Sequence, residues 1–192
     1  MSLAPWRSPL ARALHRNRSR AYSRYPQLAT VRPDGRPANR TVVFREFLPD
    51  SNHLLFVTDI RSTKAEQIAQ RPDGELCWYF TQTREQFRLG GQIRLVTDQE
   101  TETPLAQSRQ HLWQKMSPQG RQQFAWPSPG QARSKAGYEP TNLSELTPLS
   151  TFGMLIFAPN WVDHLELRGE PQNRYQYSQQ PDLSWQMIAV NP

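Results

Sequence analysis

Short runs rich in β-branched and aromatic residues, each bounded by turn residues, recur along the sequence and constrain its fold more than any other feature. Runs of this kind predict strands. The long run at 85–96 carries Gly90-Gly91, which predicts a bulge or sharp bend of the kind that closes a barrel. The predicted strands span residues 28–32, 37–47, 53–59, 75–81, 85–96, 151–159, 161–168, 174–178 and 185–190. Because many of them are joined by hairpins, we expect a mainly β fold, an antiparallel barrel with flanking helices.

Turn and capping residues predict how these runs are connected. Tight turns are predicted at Asp34-Gly35 and Asp73-Gly74. Helices are predicted over residues 8–16, 62–71 and 104–116. Ser8 is placed to cap the first of them, and Thr63 with Glu66 could form a capping box at the start of the second.

The length of 192 residues is that of one domain, so we expect a single unit spanning 1–192. Its first 25 residues form a basic arm that contains the first helix. Residues 117–148 are irregular and rich in proline and glycine, so they are interpreted as a long loop or lid.

Positive charge is concentrated at the start of the chain. Residues 1–45 contain ten arginines and a single acid, Asp34, whereas the remainder contains more acidic than basic side chains. A nucleic-acid-binding protein would use such a patch, but no interleaving of aromatic and basic residues recurs later in the chain. The sequence therefore favours a solvated face or a small anionic ligand over nucleic acid.

Several classes of protein are disfavoured by composition. Cys77 is the single cysteine, which excludes a disulfide within one chain. No stretch reaches the length of a membrane-spanning segment and the N-terminus lacks a signal-peptide pattern, so we expect a cytosolic protein. The four histidines show no ligand spacing, so no metal site is expected.

The segment DIRSTK, Asp59 to Lys64, brings a strand end, a loop and a helix start together. Free backbone N–H groups there would lie beside hydroxyl groups and cations, which is the composition of a phosphate site. The same pattern fits an ordinary helix cap with solvated cations. Arg40 favours the first interpretation, because a guanidinium on a strand next to the apolar TVVF requires an anionic partner near the interior.

Four motifs follow one another along the chain: R-x-V-x-x-[KR] at 40–45, F-V-T-D with [ST]-x-K at 56–64, R-E-Q-F-R-L-x-G at 84–91, and V-D-H-L-E-L followed by P-Q-N-R at 162–174. In this order and spacing they resemble the FMN-binding split barrels related to pyridoxamine 5'-phosphate oxidase. The match extends over about four fifths of the chain. It implies a Greek-key barrel and a homodimer that holds one FMN in each of two clefts at the subunit interface.

The resemblance also implies which residues hold FMN. Arg40 and Lys64 would bind its phosphate, and Arg174 would approach the pyrimidine edge of the ring, from the partner subunit. Trp126 lies in a proline-rich loop that could fold over the flavin. The full set implied for the cofactor is Arg40, Thr41, Val42, Val43, Arg45, Val57, Thr58, Thr63, Lys64, Gln86, Ser128 and Arg174.

The substrate side departs from the family pattern. Arg45 replaces a lysine, and the positions that grip the substrate phosphate in the oxidase proper hold Trp113, Ser117 and Arg121. A late R-L-H-D-R signature has become PQNR. The resemblance therefore implies an FMN-dependent oxidoreductase acting on some other small molecule. A binding module for FMN or haem without turnover is the alternative, and nucleic-acid contact through the basic arm is a third hypothesis.

Overall fold

The computed structural model describes residues 3–192, which contain nine strands and four α-helices. The helices are α1 (Arg7–Arg16), α2 (Thr63–Gln70), α3 (Thr103–Gln114) and α4 (Pro118–Gln122). The strands are β1 (Gln27–Val31), β2 (Pro37–Thr41), β3 (Glu46–Phe47), β4 (Leu54–Asp59), β5 (Asp73–Phe80), β6 (Glu85–Val96), β7 (Phe152–Glu166), β8 (Asn173–Gln179) and β9 (Trp185–Val190). Among these residues, no helix is long and apolar enough to cross a membrane.

The strands form one antiparallel sheet in the order β2-β1-β5-β6-β7-β4-β3, and β8 and β9 continue from β7. Strand β7 pairs with β6 from Met154 to its end, but its first half also pairs with β4 and its second half with β8. The sheet therefore branches at the middle of β7. This arrangement confirms the predicted mainly β, antiparallel fold.

A bulge at Gly90 and Gly91 marks the branch point, as predicted. The register of β6 against β7 shifts between these two glycines. A Cβ atom added to Gly91 would lie 2.1 Å from the carbonyl oxygen of Ala158, so only glycine fits there. The close approach of β6 and β7 bends the sheet at this point.

Two apolar clusters fill the interior. The larger one packs α1 against the inward faces of the sheet, with Trp6, Leu10 and Trp78 fully buried. The second cluster packs α3 against the first half of β7 and is centred on Trp113 and Phe152. The sheet is therefore covered by a helix at two different places.

The predicted strand over 37–47 is wrong in its middle. Strand β2 ends at Thr41, and residues 42–45 leave the regular ladder before β3 begins. Val42 still donates to the carbonyl of Pro26, whereas Arg45 donates to that of Leu55 on β4. The chain thus changes its pairing partner within four residues, and this change opens the space described below.

Other predicted boundaries also need correction. The runs at 151–159 and 161–168 form the single strand β7, because Pro159 lies at the bulge where a missing N–H is tolerated. The Asp73-Gly74 turn is wrong, since both residues pair with β6 as the start of β5.

The predicted helix caps are wrong as well. Helix α1 begins at Arg7, so Ser8 lies inside its first turn, and no side chain caps it. Ser62 precedes α2 and the capping box of Thr63 and Glu66 does not form. Within 117–148, α4 interrupts the predicted loop.

Candidate functional site

A cleft of about 560 Å³ lies where the chain leaves β2. Residues 41–43 form one wall, the end of β4 a second, and the segment after Phe124 a third. Eight residues from the predicted cofactor set line it: Thr41, Val42, Val43, Arg45, Val57, Thr58, Lys64 and Ser128. Sequence motifs that are more than 80 residues apart thus meet at one cavity.

Lys64 lies in the first turn of α2 and reaches into this cleft. Its ammonium group donates to the hydroxyls of Thr58 and Ser62, both neutral acceptors. Burial, assisted by the positive charge of Arg40 and opposed by Asp59, lowers the pKa of Lys64 to about 8. The Lys64 ammonium is therefore buried against two hydroxyl groups that carry no negative charge to balance its own.

Arg40 reaches the same face of α2 from β2. Its guanidinium donates to Gln67 Oε1 at 3.0 Å, to the Thr30 hydroxyl and to the Leu28 carbonyl. Gln67 is three residues after Lys64, one turn along the helix. Burial and the nearby Arg32 lower the pKa of Arg40. The two cations thus repel each other across one end of α2.

Arg45 lines the cleft itself, as Lys64 does, whereas Arg40 does not. It is partly buried, and its Nε finds no hydrogen-bond partner among residues 3–192. Burial and the neighbouring Arg24 lower the pKa of Arg45. In the described part of the chain, Arg40, Arg45 and Lys64 form no salt bridge with any carboxylate. Such a group of half-buried cations attracts an anion, and a phosphate dianion would compensate it.

Arg61 and Thr63, from the same DIRSTK segment, are placed differently. Arg61 forms a bidentate pair with Asp59, with Nη2 2.6 Å from Oδ2, and the pair raises the pKa of Arg61. The same guanidinium donates to the carbonyl of Trp126 at 3.0 Å. Thr63 is exposed and faces a neighbouring groove instead of the cleft. Arg61 therefore positions the loop over the cleft, and its charge is already balanced.

Gln86 and Arg174 lie elsewhere on the sheet. They are joined by Leu165, which pairs with both of them across β6, β7 and β8, so the three side chains share one sheet face. Neither residue lines the cleft of its own chain. Arg174 donates through Nε and Nη2 to Asp163, whose side chain is 2% exposed, at 2.9 to 3.1 Å. Sequence reasoning overlooked Asp163 as the partner of Arg174.

His164 points to the opposite face and is buried. Its ring stacks on Phe87 with centroids 3.9 Å apart, and Nε2 lies 2.9 Å from Glu85. Glu85, His164 and Glu166 offer ligand atoms within 4.8 Å of one another, a grouping that linear spacing did not reveal. The existing hydrogen bond to Glu85 accounts for His164 as an internal structural residue.

The positions that differ from the oxidase pattern are engaged within the chain. Trp113 is fully buried and donates through Nε1 to the carbonyl of Ser144 at 2.9 Å. Arg121 is 5% exposed and pairs with Glu145 at 2.6 Å. These contacts fasten residues 144–149 to α3 and α4, so neither side chain is available to a ligand.

The cleft meets the structural requirements of FMN. It offers Arg45 and Lys64, with Arg40 behind Lys64, for a phosphate, and a backbone segment, 42–43, that has left the regular strand and can lie against a flat ring. Apolar side chains from Val42, Val43 and Val57 border the same space.

Comparisons with known proteins agree with this fit. Residues 3–97 match the family model described as pyridoxamine 5'-phosphate oxidase, FMN-binding domain. The chain is 36% identical over 168 residues to pyridoxine/pyridoxamine 5'-phosphate oxidase 2 of Arabidopsis thaliana, covering 86% of this chain and 85% of the relative.

Solved structures show the same relationship. A pyridoxamine 5'-phosphate oxidase-related, FMN binding protein from Nostoc punctiforme superposes with a TM-score of 0.96 and 52% identity over the whole of both chains. PhzG from Burkholderia lata, solved with tetrahydrophenazine-1-carboxylic acid, has a TM-score of 0.80 at 17% identity, covering 98% of this chain and 93% of its own, and so shares the fold. The chain belongs to the pyridoxamine 5'-phosphate oxidase-like family of FMN-binding split barrels, and FMN is its cofactor.

Proposed function

We propose that the protein is an FMN-dependent oxidoreductase that acts on a small molecule other than pyridoxamine 5'-phosphate. The observation that carries the proposal is that Arg45 and Lys64 line one cleft, with Arg40 close enough to Lys64 to lower its pKa, and none of the three forms a salt bridge with a carboxylate among residues 3–192. Desolvated cations of this kind destabilise a fold unless a ligand compensates them. Because burying these cations without a partner is unfavourable, their presence indicates that the cleft binds an anion.

In this proposal each residue has a defined task. Arg40 and Lys64 neutralise the phosphate, the backbone at 41–43 and the side chain of Val57 border the ring, and Ser128 approaches from the loop. Thr63 would contribute only from the adjoining groove. FMN, when bound, supplies hydride-transfer chemistry, and the protein supplies position, charge and exclusion of water.

We further propose that two copies of the chain complete each site. Gln86 and Arg174 lie on a partly exposed sheet face outside the cleft of their own chain, so they would act on the cofactor held by the other copy. Leu165 between them and Trp161 nearby give that face an apolar component. Arg174 has Nη1 left for the ring, because Asp163 takes Nε and Nη2.

Two contacts within the chain support a substrate different from that of the oxidase proper. Trp113 packs in the core where the resemblance places a substrate-gripping tyrosine, and Arg121 is paired with Glu145. A grip on the pyridoxamine phosphate group would require both side chains to leave those partners. We therefore expect turnover of pyridoxamine 5'-phosphate to be slow compared with that of the native substrate.

Absorbance spectroscopy of the purified protein tests the proposal. The expected result is a two-band flavin spectrum that bleaches with NAD(P)H or a candidate substrate and returns in air. A flavin spectrum that no reductant of this kind bleaches would favour a binding module without turnover. A haem absorption band would contradict FMN as the cofactor. Light scattering tests the two-copy site, and a monomeric flavin-loaded protein would refute it.

A further inference from the structure

Part of the cleft wall has not yet been considered as a contact for the substrate. It consists of Trp126, Arg133 and Tyr138, called here the aromatic wall, and all three residues line the cleft. The two rings meet edge to face with centroids 5.9 Å apart, and each residue is about one third exposed, at 36% and 37%. The guanidinium carbon of Arg133 lies 5.2 Å from the Tyr138 ring centroid.

The aromatic wall is held in place by contacts from both sides. Arg61, itself fixed by Asp59, donates to the carbonyl of Trp126 at 3.0 Å. Gly137 adopts a left-handed φ of 91° directly before Tyr138 and packs so closely that an added Cβ would lie 3.0 Å from Cγ of Pro127. The two halves of the loop therefore touch, and the rings are presented to the cleft by a packed turn.

Arg133 is a cation of the cleft that remains after the others have been assigned a partner. Arg45 and Lys64 in the cleft, with Arg40 beside Lys64, are sufficient for a phosphate dianion, and Arg121 is paired with Glu145. Arg133 forms no salt bridge among residues 3–192, and its guanidinium lies over a tyrosine ring that lines the same cleft. A guanidinium held in this way suits one planar carboxylate, with which it can form a bidentate pair.

We propose that the substrate is a flat organic molecule that carries one carboxylate group. This inference rests on the proposed function and adds the recognition elements: Trp126 and Tyr138 contact the flat face of the molecule and Arg133 binds its carboxylate. Flat rings gain both area burial and favourable geometry against such side chains. Arg133 and Tyr138 are thus specificity-determining residues supplied by the loop.

The test uses flavin-loaded protein titrated with benzoate, with its neutral analogue benzamide, and with non-planar cyclohexanecarboxylate. Perturbation of the flavin absorbance reports binding. Benzoate is expected to bind about tenfold more tightly than either analogue, the effect of one charge-assisted contact. Arg133→Gln should remove the preference over benzamide, and Tyr138→Leu the preference over cyclohexanecarboxylate. Lys135→Gln, a cation of the same loop that does not line the cleft, is the matched control and should change neither preference.

The outcomes separate this inference from the proposed function. Equal binding of benzoate and benzamide, an unchanged preference in Arg133→Gln, or no spectral response to any of the three compounds overturns the inference while the flavin remains bound. If the wild-type protein does not retain FMN, the proposed function fails instead. The FMN dissociation constant is measured for every variant. It is expected to stay within about twofold of wild type, because the substituted side chains do not belong to the cations that bind the FMN phosphate.

Discussion

Binding of FMN to the apoprotein should take up a proton at mildly alkaline pH, because Lys64 is partly deprotonated before the phosphate arrives. Its pKa is lowered to about 8 by burial and by Arg40. A dianion beside the ammonium would return the pKa to near its ordinary value of about 10.4. At pH 8.5 the free site is then roughly one quarter protonated and the loaded site almost fully, which gives an uptake of about 0.7 proton.

Calorimetric titration in buffers of different ionisation enthalpy measures the number of protons taken up. It is the slope of the observed binding enthalpy plotted against the ionisation enthalpy of the buffer. The pH is chosen so that the flavin phosphate is already a dianion and contributes little. Lys64→Arg is the matched control, because a guanidinium stays protonated and its slope should be close to zero. A wild-type slope near zero, or an equal slope in Lys64→Arg, would refute the assignment of Lys64 to the phosphate.

The same displaced pKa predicts how the apoprotein responds to pH. In the folded state the pKa of Lys64 lies below its unfolded value, so the unfolded chain binds more protons between about pH 8 and 10.4. The free energy of unfolding should therefore rise with pH across that window, by up to about 3 kcal/mol. Chemical denaturation of wild type and Lys64→Met isolates this contribution, which should vanish in the variant.

Three further sets of variants test the site and the sheet. Arg40→Ala combined with Lys64→Ala should weaken FMN retention at least about 100-fold, measured by equilibrium dialysis, while circular dichroism stays unchanged. Gly91→Ala should lower the free energy of unfolding by about 3 kcal/mol or more, since its Cβ would lie 2.1 Å from a carbonyl oxygen; Gly90→Ala, with its nearest contact at 3.4 Å, is the control. Arg174→Met should cost about 2 kcal/mol in denaturant unfolding by leaving the buried Asp163 with a single donor, and an unchanged midpoint would contradict it.

Local pattern was sufficient to predict most of the sheet. The β5–β6 hairpin and the bulge at Gly90-Gly91 follow from period-two alternation and from two adjacent residues without side chains, both of which are visible in the sequence. The break at residues 42–45 was not visible, because the β-branched and aromatic residues typical of a strand continue through it. What ends β2 is a change of partner, from Pro26 to Leu55, and partners distant in sequence leave no mark in a short window.

The chemistry of the site depended on the same kind of distant information. DIRSTK contains two cations, and nothing in its pattern indicates that Arg61 is neutralised by Asp59 whereas Lys64 is not. The difference arises because the end of β4 places the Asp59 carboxylate against Arg61, which also donates to the loop carbonyl of Trp126, while α2 places Lys64 near Arg40. A motif therefore identifies which residues are near a phosphate. Only the tertiary arrangement decides which of their charges remain for a ligand, and that residual charge is what the site can use.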